Sequence, residues 1–146
     1  MAKKFIYRFD SILRLREYNT QLARESLNFA VKIKNDKLDL IEDHNNTINN
    51  NSKIGEVRLT AFELQTTHHN INFIREEIKK IGDEIKELDE IIGVRRSKLT
   101  EAMKDEKIME KLKEKKLNDY LYELNKEETA VFDEIAGRRA QYGEQN

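Results

Sequence analysis

The chain has 146 residues, about the size of one domain, but 38% of them are charged and only 8% are aromatic, which leaves little material for a globular core. Proline is absent and glycine occurs five times, so long helices are permitted and tight turns have few markers. A net charge of −1 argues against whole-molecule attraction to nucleic acid or anionic lipid, and the lack of cysteine excludes disulfides and thiol chemistry. No stretch has the apolar run of a signal peptide or a membrane span. We expect a cytoplasmic, nearly all-helical chain whose partners are proteins.

The first helix is predicted over about residues 4–50, because apolar residues from Phe5 to Ile48 recur mostly at steps of three and four. An Asn-rich stretch follows, and asparagine favours turns because its side chain competes for backbone hydrogen bonds. The chain is therefore expected to reverse at about 50–59. Thr60 and Glu63 have the spacing of a capping box, which predicts that a second helix begins at about residue 60.

A strict heptad repeat is the strongest pattern in this second helix. Such a seam keeps facing one direction only if the helix supercoils around a partner helix. Its a and d positions are apolar except at Arg95, and they are occupied by Ile71, Ile74, Ile78, Ile81, Ile85, Leu88, Ile92, Leu99 and Ala102. Beyond Met103 the apolar residues can be joined only through a stutter near 104–117. The second helix is predicted to end at about residue 138 with Gly137 as its C-cap, followed by a frayed tail over 139–146.

These elements predict an all-α fold, a long antiparallel two-helix coiled-coil hairpin whose second helix is longer than the first. We expect one domain over 1–146, forming a monomeric rod. With the turn near 50–58, the numbers of facing residues add to about 110, which puts Leu22 near Leu88 and leaves an overhang beyond about residue 105. Residues 1–16 are mainly basic and residues 119–134 mainly acidic, so these two regions are expected to be electrostatically complementary.

The sequence predicts no catalytic, cofactor or metal site. His68 and His69 are adjacent and would point about 100° apart on a helix, so they cannot chelate an ion as an i, i+4 pair could. The closely spaced carboxylates have no cleft to desolvate them and are typical of a solvated helical face. The basic run over 111–116 is interleaved with glutamates, so no nucleic-acid partner is expected. Motifs for phosphate binding or hydrolysis are not found, and we expect that the protein is not an enzyme.

Both ends of the chain resemble the flagellar export protein FliJ family. Residues 4–17, KFIYRFDSILRLRE, are similar to the family's opening pattern of alternating aromatic and basic residues followed by a leucine- and arginine-rich turn. KIMEKLKEKK at 107–116 and FDEIAGRR at 132–139 resemble its two later signatures, in the same order. The central part, 20–105, matches only as generic coiled coil.

The resemblance implies a non-enzymatic component of the flagellar type III export apparatus. Members of the family form an antiparallel coiled coil similar to the stalk of the rotary ATP synthase γ subunit. They associate with the hexameric flagellar export ATPase, contact the cytoplasmic domain of the export-gate membrane protein, and act as escorts for export chaperones. We would accordingly expect peripheral association with the inner face of the cell membrane at the flagellar base.

Candidate partner-binding residues follow from this resemblance together with the distribution of charge. A charged, narrow end suits the pore of a hexamer, whereas apolar residues near the turn suit a docking surface. The predicted ATPase side consists of Arg8, Arg14, Lys111, Lys113, Lys115, Lys116, Asp133, Glu134 and Arg138. The predicted gate side consists of Ile41, His44, Ile48 and Phe73. A structural coiled-coil scaffold unrelated to secretion is the alternative that periodicity alone supports equally well.

Overall fold

The computed structural model describes residues 3–54 and 60–144, apart from the side chain of Ile54. It contains helix α1, Asp10–Ile54, and helix α2, Ala61–Glu144. Helices account for 94% of the described residues, which include no strand, so the predicted all-α hairpin with a longer second helix is confirmed. The chain divides into two compact units, which we call unit 1 (1–20 with 102–146) and unit 2 (21–101).

Unit 2 is a pair of antiparallel helical segments joined by seams of heptad-spaced residues. On α2 the predicted seam is confirmed, because Ile81 and Ile92 are buried and the other seam positions from Ile71 to Leu99 are half-buried. On α1 the facing positions also repeat at steps of three and four, and they include the buried Ala30. The seam positions on α1 are Ala23, Leu27, Ala30, Lys34, Lys37, Ile41, His44, Ile48 and Asn51.

Polar contacts at the edges of this seam define its register. The Lys37 ammonium lies 2.6 Å from a Glu84 carboxylate oxygen, and Lys34 lies at the same distance from Asp89. The Arg95 guanidinium donates to the carbonyl oxygen of Ser26 at 2.8 Å. The pairing predicted from sequence is therefore wrong by about three helical turns, since it placed Ser26 near residue 84. The error arose because the turn was placed too early, while α1 continues to Ile54.

Unit 1 packs the start of α1 against the later part of α2. Leu13 and Thr20 are buried on α1, and Thr20 donates its hydroxyl to the carbonyl of Arg16. The facing α2 positions keep the heptad spacing through half-buried Glu106, Met109 and Lys113. No stutter is therefore needed up to Lys113, contrary to the sequence prediction. The prediction failed because the pattern was followed through apolar residues such as Ile108, whose side chain is 63% exposed.

The first helix begins later than predicted. Residues 3–9 are not helical, and the first helical hydrogen bond of α1 runs from Leu13 N to the Phe9 carbonyl. In this N-terminal segment Phe5 is half-buried, Tyr7 is buried, and Ile6 and Arg8 are exposed. Alternating burial of this kind belongs to extended chain, which explains why reading these residues at helical spacing misplaced the start.

The remaining helix ends also differ from the predicted boundaries, except at the start of α2. There the capping box is confirmed: the Thr60 backbone N–H donates to Glu63 at 2.8 Å, and the Glu63 backbone N–H donates to the Thr60 hydroxyl at 3.2 Å. The Asn-rich stretch stays helical to Ile54, and the rest of the predicted turn, 55–59, lies outside the described residues. At the other end α2 passes through Gly137 with helical backbone angles and reaches Glu144, so the C-cap and most of the frayed tail were wrong.

Candidate functional site

The predicted ATPase-side residues all lie in unit 1, and two of them converge on one carboxylate. Asp10 accepts a contact from the exposed Arg14 at 3.1 Å and another from Lys113 at 3.5 Å. Because Asp10 is in the first turn of α1, its negative charge also suits the positive end of the helix dipole. The structure thus joins Arg14 and Lys113, which are 99 positions apart, into one charged cluster.

The other predicted basic residues of this set project into solvent. Lys111, Lys115 and Lys116 are exposed on α2. Arg8 is exposed on the N-terminal segment, with its guanidinium carbon 5.9 Å from the centre of the Phe9 ring. These side chains are available to acidic groups of a partner, because all of them are exposed.

Within the described residues, the ion pair that the acidic members of the set make is with Arg138 of the same helix. Asp133, Glu134 and Arg138 lie on the last exposed turns of α2, where Arg138 donates to Glu134 at 2.8 Å within the same helix. In the described part of the chain, ion pairs of the basic residues 3–16 run to Asp10 and Asp105 instead. Among the described residues, no ion pair joins residues 3–16 to the acids of 119–134.

A tyrosine contact that the sequence did not reveal fastens the N-terminal segment to α2. The Tyr7 hydroxyl donates to the Met109 carbonyl at 3.2 Å, and the Tyr120 hydroxyl donates to the Lys3 carbonyl. Phe5 packs against Tyr120 with ring centres 5.5 Å apart. A groove of about 280 Å³ lies beside this contact, lined by Lys3, Tyr120, Glu123, Leu124 and Glu127. Aromatic residues at every second position, Phe5, Tyr7 and Phe9, were the signal that could have predicted the segment.

Three carboxylates also converge in unit 1. Oxygen atoms of Glu17, Glu106 and Glu110 lie within 4.8 Å of one another. Two of these residues are exposed and Glu106 is half-buried, so solvent can screen their repulsion without an ion. This grouping became visible only with the correct helix register.

The predicted gate-side residues lie in unit 2 and differ in exposure. Ile41, His44 and Ile48 are half-buried seam positions of α1, so part of each side chain is used by the hairpin itself. Phe73 is 60% exposed. Phe62, which is 77% exposed, lies three helical turns before Phe73 and therefore on the same side of α2. Among the described residues of this region, the two phenylalanines are consequently the most exposed large apolar side chains.

Residues 5–145 match the family described as Flagellar FliJ protein, which is nearly the whole chain. The chain belongs to the FliJ family. No curated protein and no solved structure matches it.

FliJ membership makes this chain a component of flagellar type III protein export, associated with the export machinery. The family is a non-catalytic, cytoplasmic one. Separately, neither α1 nor α2 contains a window long and apolar enough to span a membrane within the described residues.

Proposed function

We propose that this FliJ protein couples the hexameric flagellar export ATPase to the cytoplasmic domain of the export-gate membrane protein. In this role it associates peripherally with the inner face of the cell membrane and escorts export chaperones. The family match over residues 5–145 is the observation that carries the proposal. The distribution of surface chemistry supports it, since the exposed charges of unit 1 suit a charged pore and the exposed phenylalanines of unit 2 suit an apolar pocket.

ATPase association is assigned to unit 1 and is tested by charge reversal at two exposed lysines. Lys115→Glu with Lys116→Glu should weaken binding to the purified ATPase hexamer by about tenfold or more, because each substitution replaces attraction by repulsion. Lys98→Glu, an exposed lysine of unit 2, is the control and should leave binding unchanged. Equal binding by all three proteins would remove the basic run from the interface.

The acidic part of the proposed ATPase side is tested by shortening the chain. A cut after Lys116 would also remove Tyr120 and release the N-terminal segment, so the cut belongs after Leu124. The shortened protein should keep the helicity of its remaining residues and lose ATPase affinity, because Asp133, Glu134 and Arg138 are missing. Unchanged affinity would confine the interface to the basic residues.

Gate binding is assigned to Phe62 and Phe73 and can be tested against a matched phenylalanine. Phe62→Ala and Phe73→Ala should each weaken binding to the cytoplasmic domain of the gate protein and spare ATPase binding. Phe29, which is 62% exposed in the same unit, provides the control. If Phe29→Ala weakens gate binding as much as the other two substitutions do, Phe62 and Phe73 are not the specific gate contacts. Failure to bind either partner would favour the scaffold alternative.

A further inference from the structure

The face by which α2 packs within unit 1 continues beyond the segment that covers it. Met109, Lys113 and Tyr120 contact the N-terminal segment or α1 on this face. Val131 and Ile135 lie within about 60° of the same line along the helix at 3.6 residues per turn. Nevertheless, every residue from Asn125 to Glu144 is exposed.

The uncovered stretch has the pattern of a coiled-coil seam. Apolar side chains recur at steps of three and four, and the exposed fractions of Val131, Ile135 and Tyr142 are 54%, 44% and 75%. Two positions in the repeat carry charges of opposite sign, Glu128 and Arg138. A seam of this kind requires a second helix to cover it. In sequence order, the seam consists of Leu121, Leu124, Glu128, Val131, Ile135, Arg138 and Tyr142.

We infer that the helix covering this seam is the same segment, 121–144, of a second copy of the chain, in antiparallel orientation. An antiparallel pair centred at Asp133 sets Val131 of one copy opposite Ile135 of the other. It also sets Glu128 opposite Arg138, and each of these layers occurs twice by symmetry. The pairs join an a position to a d position, as antiparallel coiled coils require. Leu124 then meets Tyr142, so no charged seam position faces an apolar one.

The two charged positions specify this orientation. In a parallel pair at the same register, Glu128 would meet Glu128 and Arg138 would meet Arg138, which is unfavourable in both layers. In the antiparallel pair each charge meets its opposite. Arg138 already donates to Glu134 of its own helix at 2.8 Å, and its guanidinium keeps further N–H donors for Glu128 of the second copy.

The excess of acidic residues around the seam limits the strength of the association. Glu123, Glu127, Asp133 and Glu134 bring like charges close together in a pair, and Lys126 offsets only part of this. The result is a reversible dimer that dissociates on dilution, not an obligate one. This dimer replaces the monomer expected from sequence. The hairpin seam of each copy still lies within its own chain.

The charged layers provide the test, in sedimentation measurements on the full chain over a dilution series. Glu128→Arg alone and Arg138→Glu alone each create two like-charge layers and should raise the dimer dissociation constant by at least about tenfold. An equimolar mixture of the two variants should associate again, because every layer in the mixed dimer pairs opposite charges. The double variant Glu128→Arg with Arg138→Glu should also recover association. Lys98→Glu, an equal change of charge at an exposed position of unit 2, is the control and should leave the dissociation constant unchanged.

Cysteine crosslinking checks the orientation, since the natural chain has no cysteine. Leu124→Cys mixed with Tyr142→Cys should form a disulfide-linked dimer on oxidation, whereas neither variant should do so efficiently alone. Self-crosslinking by each variant would show a parallel pair and overturn the inference.

Two other outcomes would also overturn the inference. One is a wild-type dimer that the single charge reversals leave intact, provided circular dichroism shows that they remain helical. The other is a wild-type chain that stays monomeric at its highest soluble concentration. If that monomer binds a designed lysine-rich heptad peptide, the face belongs to a basic partner helix instead.

Discussion

Ile92 is one of the few side chains that the hairpin buries almost completely. It is 6% exposed, and the register set by Ser26 and Arg95 places it opposite Ala30, which is 1% exposed. A large side chain against a small one fills a layer without forcing the helices apart. Its neighbour Ile91 points away and is 42% exposed, so these two adjacent isoleucines contribute unequally to the stability of the hairpin.

This difference in burial predicts that the same substitution lowers the free energy of unfolding by unequal amounts at the two positions. Ile92→Ala should lower the free energy of unfolding by about 2–4 kcal/mol, because apolar burial is lost and a cavity opens against Ala30. Ile91→Ala should cost less than about 1 kcal/mol, since much of that side chain already faces water. Chemical denaturation followed by circular dichroism would measure both. Equal costs would mean that Ile92 does not lie in the seam.

The ion pair of Lys37 with Glu84 makes a second prediction at this scale. The hydrogen bond from Lys37, and then its positive charge, hold the pKa of Glu84 below the ordinary 4.5. A carboxyl whose pKa is lower in the folded state stabilises the fold above its unfolded pKa, and this contribution is lost as the pH falls through the folded value. NMR titration of Lys37→Met should show the Glu84 pKa rising toward 4.5. Lys34→Met, whose lysine contacts Asp89 instead, should leave Glu84 unaffected.

At the scale of a helix, α2 contains internal glycines that neither a backbone angle nor a close contact requires. Gly82 and Gly93 lie inside it with negative φ, and a Cβ added to either would meet nothing within 4 Å. Each glycine therefore costs helix stability through backbone entropy without relieving any contact.

Gly82→Ala and Gly93→Ala should each stabilise the protein by roughly 0.5–1 kcal/mol. Thermal melting would show this as a raised midpoint. Gly143→Ala is the comparison, because a helix end frays and gains less from the same change. A lowered midpoint in Gly93→Ala would contradict the open space found around its Cβ position.

The elements differ in how far they could be predicted from sequence. The seam of α2 could be, because nine apolar positions at heptad spacing outweigh two glycines and one arginine. The pairing register could not be predicted, because moving the turn by a few residues shifts every pair. The Asn-rich end of α1 resembles a turn in the sequence but stays helical because Ile48 and Asn51 pack on the seam. Partner surfaces were harder still. Ile41 and His44 look available in the sequence, yet they lie on the seam.

For the whole molecule, the proposed ATPase side and the proposed dimer interface share Arg138, while Asp133 and Glu134 lie beside it. The ATPase and a second copy of the chain cannot both occupy this helix at the same time, so they must compete for it. At a given total concentration of the chain, ATPase binding should therefore fall short of the level expected from the monomer affinity, because dimers withdraw free monomer and saturation is reached only at higher concentration. Ile135→Asp should remove this shortfall, because a carboxylate in the central layer prevents pairing. A shortfall that persists in the variant would show that the two interfaces are separate.

The tyrosine contacts of unit 1 also make the protein its own optical reporter. The chain contains no tryptophan, and all five of its tyrosines belong to unit 1: Tyr7, Tyr18, Tyr120, Tyr122 and Tyr142. Absorbance and fluorescence in the tyrosine band therefore record unit 1, whereas the far-ultraviolet dichroism of helices records both units. Heating the unlabelled protein while both signals are followed would show whether the two units melt together, since coincident transitions are the mark of a single cooperative step.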